Sequence, residues 1–392
     1  DIIHVDAEVD ATSKEIKKWQ TLTFAAGKLT YYDSNGASDK EESISPDKKY
    51  ILNGIEDTLK ISGRKNELNN SVVNAYKTAV VMDQEMSMLT LDNTVVNGGV
   101  AEDSPTVNIT GDGSTLTVKG DSVINTGDEG TAITITGDKN AVTLEGNTIV
   151  NGKMESKGNN ILNLYGKADG SMNMLYDISG FTDISIDNNV TFFEDMKVTG
   201  TDKVTVEKSG VLSLRLKKDG DLSPAAIASS TSISTATHAF SGTDGMTIEG
   251  ISPEEAGTLN FITNGIGKKV LVNMKNIELN NIKVKTNSII DKVDLDTYKD
   301  EGYIYLGAGS DLGGIVNSKE VKRYGQLNKI YKSIYNSKEE NLDGLRDILS
   351  LSTYLGKNYD YNNRPEAEKE EQLASLLGYL TSVYIESPYS YS

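Results

Sequence analysis

Leu89-Thr-Leu-Asp-Asn-Thr-Val-Val-Asn-Gly98, Leu116-Thr-Val-Lys-Gly-Asp-Ser-Val-Ile-Asn-Thr-Gly127 and Val142-Thr-Leu-Glu-Gly-Asn-Thr-Ile-Val-Asn-Gly152 are one phrase written three times, with starts 27 and 26 residues apart. A second phrase interleaves with it: Val107-Asn-Ile-Thr-Gly-Asp-Gly113 returns 26 residues later as Ile133-Thr-Ile-Thr-Gly-Asp-Lys139. A period in this range is the mark of one structural unit stacked on itself. Within each unit apolar and polar residues alternate over short runs that end at Gly, Asn or Asp. That is the grammar of half-buried strands with tight corners.

The same grammar extends outward from the repeat. Thr58–Ile61, Leu162–Leu164, Ile184–Ile186, Val204–Val206, Leu212–Leu214, Val270–Val272 and Ile282–Val284 are all short alternating runs. Parallel strands ordinarily need a helical crossover of about a dozen residues or more. No helical periodicity separates these runs, so each strand is expected to pair with its equivalent one repeat on. The fold class that follows is mainly β: a right-handed parallel β-helix over residues 51–317. At ~26 residues per coil and ~4.8 Å per rung this gives roughly ten coils, about 50 Å of rod. The spacing of Ile184 and Val204 predicts shorter coils near there. Val118 and Leu144 are expected on adjacent rungs, both pointing inward.

Three segments break the pattern. Residues 1–50 are irregular and are expected to cap the solenoid. Thr12-Ser-Lys-Glu15 reads as a capping box opening a short helix through Trp19, the single Trp of the chain. Ser223 to Gly245 is rich in Ser, Thr and Ala and is expected to leave the rod as a loop. Loops on rigid scaffolds commonly carry recognition, so Ser232, Thr235, His238, Phe240 and Asp244 are the candidate partner-binding residues. From 318 the period becomes helical. Leu327, Ile330, Tyr331 and Ile334 form one stripe, Leu342, Leu345, Ile348, Leu349 and Leu351 a second, and Leu373, Leu376, Leu377 and Leu380 a third after Pro365. An α-helical module is therefore expected over 318–392.

Composition narrows the function. The chain has 392 residues, a net charge of −18 and no cysteine. The acidity argues against nucleic acid, whose phosphates demand basic surfaces. Without Cys there are no disulfides or thiolate metal sites. His4 and His238 are the two histidines, too few for a typical zinc site. No GxSxG elbow accompanies a candidate Ser-His-Asp set. Gly111-Asp-Gly113 and Gly137-Asp138 look like pieces of calcium-binding turns, but the full nonapeptide is missing, and both read as tight turns. Asn97, Asn125 and Asn151 recur as corner residues expected to satisfy their own backbone. No catalytic residue, cofactor or metal is assigned. A carbohydrate-active β-helix is the enzyme alternative. It needs paired carboxylates with basic residues on one sheet face, and the chain has five arginines, Arg64, Arg215, Arg323, Arg346 and Arg364.

The Cys-free, acidic, Thr/Asn/Gly-rich coil with a helical C-terminal stretch resembles the passenger domain of a monomeric, type Va autotransporter adhesin. Tyr324-Gly-Gln-Leu-Asn-Lys-Ile-Tyr331 and Tyr384-Ile-Glu-Ser-Pro-Tyr-Ser-Tyr-Ser392 resemble the region just ahead of the outer-membrane barrel in fusobacterial surface adhesins. The resemblance implies export by the type V route, display at the cell surface as a monomer, and adhesion to a host protein or glycan or to another bacterium. A signal peptide and a barrel belong to the family plan and are not in this sequence. A structural spacer within a larger adhesin is a further reading.

Overall fold

The structure, a computed structural model, describes residues 2–5, 22–32, 38–45, 47–54, 56–219, 233–263, 269–286, 291–295, 298 and 301–308. The helix expected at 12–19 with Trp19, and the helical module expected over 318–392, lie outside them. The described chain is mainly β, with parallel sheets and almost no helix. It forms two compact units: Asp1–Leu212 with Thr243–Gly257 and Ile277–Ile282, and Ser213–Gly242 with Thr258–Asn276 and Lys283–Ser392.

In the first unit the chain visits three long parallel sheets in rotation, and after Ile149–Asn151 the place of sheet 1 in that order is taken by a further parallel sheet that begins with Met172–Met174 and Asn189–Phe192. Sheet 1 holds Ile2–Val5, Lys49–Asn53, Val72–Asn74, Val95–Asn97, Val123–Asn125 and Ile149–Asn151. Sheet 2 runs from Leu22–Ala25 and Leu59–Ser62 through Val107–Ile109 to Val198–Thr199. Sheet 3 runs from Asn66–Asn69 and Met88–Asp92 through Thr115–Lys119 and Ala141–Glu145 to Ile277–Asn280. Because each strand pairs with its equivalent one coil on, like side chains stack. Leu91, Val118, Leu144, Leu164 and Ile186 are register partners in succession on sheet 3, and all are fully buried. Val118 thus lies beside Leu144 on the next rung, both inward, as the repeat requires. On sheet 2 the column is Leu59, Val80, Val107, Ile133, Met154 and Ile178; on sheet 1 it is Leu52, Val73, Val96 and Ile124. Each such side chain contributes about 1.5–3 kcal/mol by leaving water. The shorter coil is present too, with Ile184 paired to Val204.

The corners hold buried polar ladders. Between sheets 3 and 1 the backbone N–H groups of Tyr50, Ser71 and Thr94 each donate to the hydroxyl of the next coil, from Ser71, Thr94 and Ser122, at 3.0, 3.3 and 2.9 Å. Between sheets 2 and 3 the N–H groups of Ser87, Ser114 and Asn140 donate to the side chains of Ser114, Asn140 and Asn160 at 3.1, 2.7 and 2.9 Å. These groups would otherwise be orphaned where the chain leaves one sheet for the next. At the same corner Gly111, Gly137 and Gly158 stack. A Cβ on Gly137 would collide with the Gly111 carbonyl oxygen, and one on Gly158 with that of Gly137. Asp112 accepts the Asp138 N–H at 2.8 Å and Asp138 that of Asn159 at 2.9 Å, so these Gly-Asp pieces are stacked turns.

Three expectations need correction. The parallel pairing starts inside the predicted N-terminal cap: Leu22–Ala25 is already a rung of sheet 2, paired with Leu59–Ser62. Only the hairpin strands Lys28–Tyr32 and Ser38–Ser43 add antiparallel pairs at that edge. The sequence of the outermost one, Ser38-Asp-Lys-Glu-Glu-Ser43, is charged, a composition that discourages edge-to-edge pairing. Second, the corner asparagines bond one another rather than their backbone. The Nδ2 groups of Asn74, Asn97, Asn125 and Asn151 donate to the Oδ1 of the preceding Asn at 2.8, 2.8, 2.9 and 2.8 Å, over separations of 21, 23, 28 and 26 residues. Third, parallel pairing does not continue unbroken to residue 317. In the second unit Ile233–Thr237 pairs parallel with Lys269–Asn273. Tyr303–Ala308 pairs antiparallel with both Lys269–Asn273 and Asp291–Asp294, and Lys217–Lys218 antiparallel with Ile233–Thr237. Thr258 through Ile262 are buried at every position, the mark of a strand covered on both sides.

If the inward columns carry the stability, Leu144→Ala costs about 2–5 kcal/mol by opening a cavity. Outward Thr117→Ala on the neighbouring rung stays within about 0.5 kcal/mol. Gly137→Ala costs about 1–3 kcal/mol by overpacking the glycine stack. Urea unfolding of the three variants measures all of these; equal losses for Leu144→Ala and Thr117→Ala would contradict the columns.

Candidate functional site

Of the five residues singled out in the Ser/Thr-rich segment, three are buried and so are not an exposed contact surface. Ser232 lies outside the described residues. Thr235 sits within the strand Ile233–Thr237 and is buried, as are His238 at 1% exposure and Phe240 at 0%. Of the five, Asp244 alone is exposed among the described residues. His238 has a structural task. Its Nδ1 accepts the Phe240 N–H at 3.1 Å, which leaves the proton on Nε2 to donate to the Asn273 carbonyl at 2.7 Å. Its own N–H donates to Ser241 Oγ at 3.0 Å, and its ring meets Phe240 edge-on with centroids 6.2 Å apart. Both ring nitrogens are spent on backbone, so the imidazole holds a turn against the strand Lys269–Asn273 and is not a general base. Small polar residues made this segment look like a loop. The β-branched Ile233, Thr235 and Thr237 were the signal for a strand.

The outward side of sheet 3 carries the carboxylates that a sugar-cleaving site would need. Asp92 pairs with Lys119, and Glu145 pairs with Tyr165, which pairs with Asp187. These groups stand on successive rungs of a regular sheet. The Tyr165 phenol is pushed above its ordinary value, first by burial and then by the nearby charges of Glu207, Asp187 and Glu145. Among the described residues no group of three or more His, Asp or Glu side chains is placed to hold a metal ion.

The feature that does vary from coil to coil is the corner between sheets 1 and 2. Its connections run over 75–79, 98–106, 126–130 and the single residue 152, and the connections 175–177 and 193–197 lead into sheet 2 from the further sheet that holds Met172–Met174 and Asn189–Phe192. The backbone here is pinned to its neighbours: the N–H groups of Val100 and Ala101 both donate to the Tyr76 carbonyl, at 3.1 and 2.9 Å. On this base sit side chains that no solvated turn needs. Tyr76 is 51% exposed, Val100 61%, Leu175 54% and Tyr176 43%. Between them stand exposed Glu102, Asp103, Asp128 and Glu129. Lys77 reaches Glu56 at 2.7 Å, and that hydrogen bond raises the Lys77 pKa. Exposed aromatic and aliphatic groups among carboxylates on a pinned backbone form an apolar surface of the kind that a partner covers. Comparison with known protein families, with curated proteins and with solved structures found no match. The candidate site rests on this geometry alone. Tyr76, Val100, Leu175 and Tyr176 all lie outside the repeated phrases. The signal was the place where the repeat loses phase: the residues inserted between Asn97 and Val107.

His238→Ala leaves the Phe240 N–H and the Asn273 carbonyl without this partner and is expected to cost about 1–3 kcal/mol. His238→Asn, which keeps a donor and an acceptor, is expected to recover part of it; urea unfolding reads both. For Tyr165 the raised pKa means that the fold favours the neutral phenol. That contribution is complete below the ordinary pKa of 10.0 and is lost as pH rises through the folded value. Glu207→Gln is expected to lower the Tyr165 titration. Tyrosinate absorbance against a Tyr165→Phe reference checks it, and an unchanged or higher midpoint would refute the assigned cause.

Proposed function

We propose that this chain is a non-catalytic binding passenger displayed at a cell surface, of the autotransporter adhesin type that its sequence resembles. In this reading the three sheets of the first unit close as a right-handed parallel β-helix, the hand that parallel crossovers adopt almost without exception. The partner is a host cell-surface protein or glycan, or another bacterium, met by a monomer exported across the outer membrane.

One observation carries the proposal: the exposed side chains on the connections that lead into sheet 2, Tyr76, Val100, Leu175 and Tyr176, with Tyr76 and Val100 on a backbone fixed by inter-coil hydrogen bonds. Stacking supports the rest of it. A coil that buries its Val and Leu columns on the coil before gains hydrophobic free energy as it is added. Such a chain can fold progressively as it emerges, with no disulfide to form. The net charge of −18 favours solubility at high surface density.

The test uses the purified chain on epithelial cells and on other bacteria, with attachment read by flow cytometry. Tyr76→Ala combined with Val100→Asp is expected to reduce attachment at least tenfold without lowering the unfolding midpoint. Failure of the parent chain to attach would defeat the proposal. So would the release of reducing sugar ends from a polysaccharide, abolished by Glu145→Gln, because that outcome belongs to an enzyme.

A further inference from the structure

The outward side of sheet 1 is unlike the outward sides of sheets 2 and 3. Two outward columns are uniform over five of its six strands; on the sixth, His4 is the register partner of Ile51. Ile51, Val72, Val95, Val123 and Ile149 are register partners rung by rung. The first four are half-buried against one another and Ile149 is 51% exposed. Two residues along each strand stands the asparagine ladder. On sheet 3 the outward columns are Met88–Thr115–Ala141–Ile161, Thr90–Thr117–Thr143–Asn163–Ser185 and Asp92–Lys119–Glu145–Tyr165–Asp187, and on sheet 2 Lys60, Val81, Asn108, Thr134 and Glu155 follow one another, so none of these is aliphatic on every rung. This column of Ile and Val is buried only in part, whereas Leu52, Val73, Val96 and Ile124 on the inner side are fully buried.

The amide ladder is equally specific. Each of Asn74, Asn97 and Asn125 donates one N–H to the preceding amide and accepts one from the next. An Asn amide has two N–H groups and two oxygen lone pairs. Asn74, Asn97 and Asn125 therefore each still offer one donor and one acceptor, held in a fixed direction by the ladder itself. The result is an uncharged strip that is apolar along one side and hydrogen-bonding along the other. The corner beyond the asparagines carries exposed Glu56, Glu102, Asp103, Asp128 and Glu129.

The dimensions and the charge decide what fits. Five rungs at ~4.8 Å by two residues at ~3.4 Å make a strip about 20 Å long and about 7 Å wide, on the order of 150 Å². A stable protein partner needs about 800 Å² per side, so the strip is too slender for a folded protein or a second copy, and a second copy would bring its own 18 net negative charges. An extended peptide laid along the columns rises ~3.3 Å per residue and presents same-side groups every ~6.6 Å, out of phase with ~4.8 Å rungs. Equatorially linked pyranoses advance by roughly one rung per ring. Their hydroxyls donate and accept, as the spare amide groups require, and their C–H faces suit an aliphatic column. The acidic corner repels polyanions.

We propose that the Ile51–Val72–Val95–Val123–Ile149 column and its asparagine ladder form a docking strip for an extended, neutral, equatorially linked glycan running along the stacking direction. The inference rests on the reading of the chain as a binding passenger and names its ligand class. The experiment measures retention of the full chain on insoluble neutral β-1,4-glucan and on printed linear neutral glycans, with a polyuronate and oligo-lysine as competing probes. The parent chain is expected to be retained by the neutral glycans and not by polyuronate or oligo-lysine. Val95→Lys with Val123→Lys is expected to weaken retention at least tenfold. Ile149→Glu, at an already exposed position, repeats the test where folding is not at stake, and circular dichroism and the unfolding midpoint confirm that each variant is folded. No retention of the parent on any neutral glycan, equal retention of folded variants, or preference for polyuronate or oligo-lysine would overturn the inference. Cell attachment that persists without glycan retention sinks the strip alone; glycan retention without cell attachment sinks the display reading alone.

Discussion

The first unit depends on one constraint: equivalent residues of successive coils must lie in register, because a strand's hydrogen-bond partner is its own equivalent in the next coil. Register does two things at once. It closes the backbone ladder, and it aligns Leu91, Val118, Leu144, Leu164 and Ile186 into one inward column. A slip of one residue would send every such side chain outward. The corners enforce this phase. The Ser, Thr and Asn ladders accept backbone N–H groups from the adjacent coil, and the glycine stack leaves no room for a displaced neighbour. Hydrophobic burial supplies the free energy, and the buried polar ladders select a single alignment.

This economy shapes what the molecule has to offer chemically. Most polar side chains that the sequence repeats are consumed in stacking. Ser114, Ser122 and Asn140 are buried and bonded, and His238 is locked between two backbone groups. What remains for a partner lies at the corner whose connections differ in length and on the outward side of sheet 1. A scaffold that fixes its own corners so tightly can hold exposed Tyr76 and Val100 in place at little further entropic cost, which favours binding.

Much of the fold was legible in the chain because a repeat states its own register. The spacing from Leu116 to Val142 names the partner of each residue, and alternation names which side it faces. The candidate site was less legible. Buried His238, Thr235 and Phe240 and a surface loop have the same local composition, and only packing against Lys269–Asn273 separates them. Asn97, Asn125 and Asn151 were visible as a series, but whether their amides bond backbone or one another depends on rotamers that spacing does not specify. The antiparallel pairs of Tyr303–Ala308 carry no repeat, so nothing in the sequence announced them.

The sequence by itself determined the period, the inward aliphatic columns and the parallel sheets, since these follow from a local pattern repeated. Tertiary structure alone decided which polar side chains were spent inside and which were left for solvent. The physical reason is that exposure belongs to neighbours brought together from coils 20 or more residues apart, and no single stretch of chain contains that information.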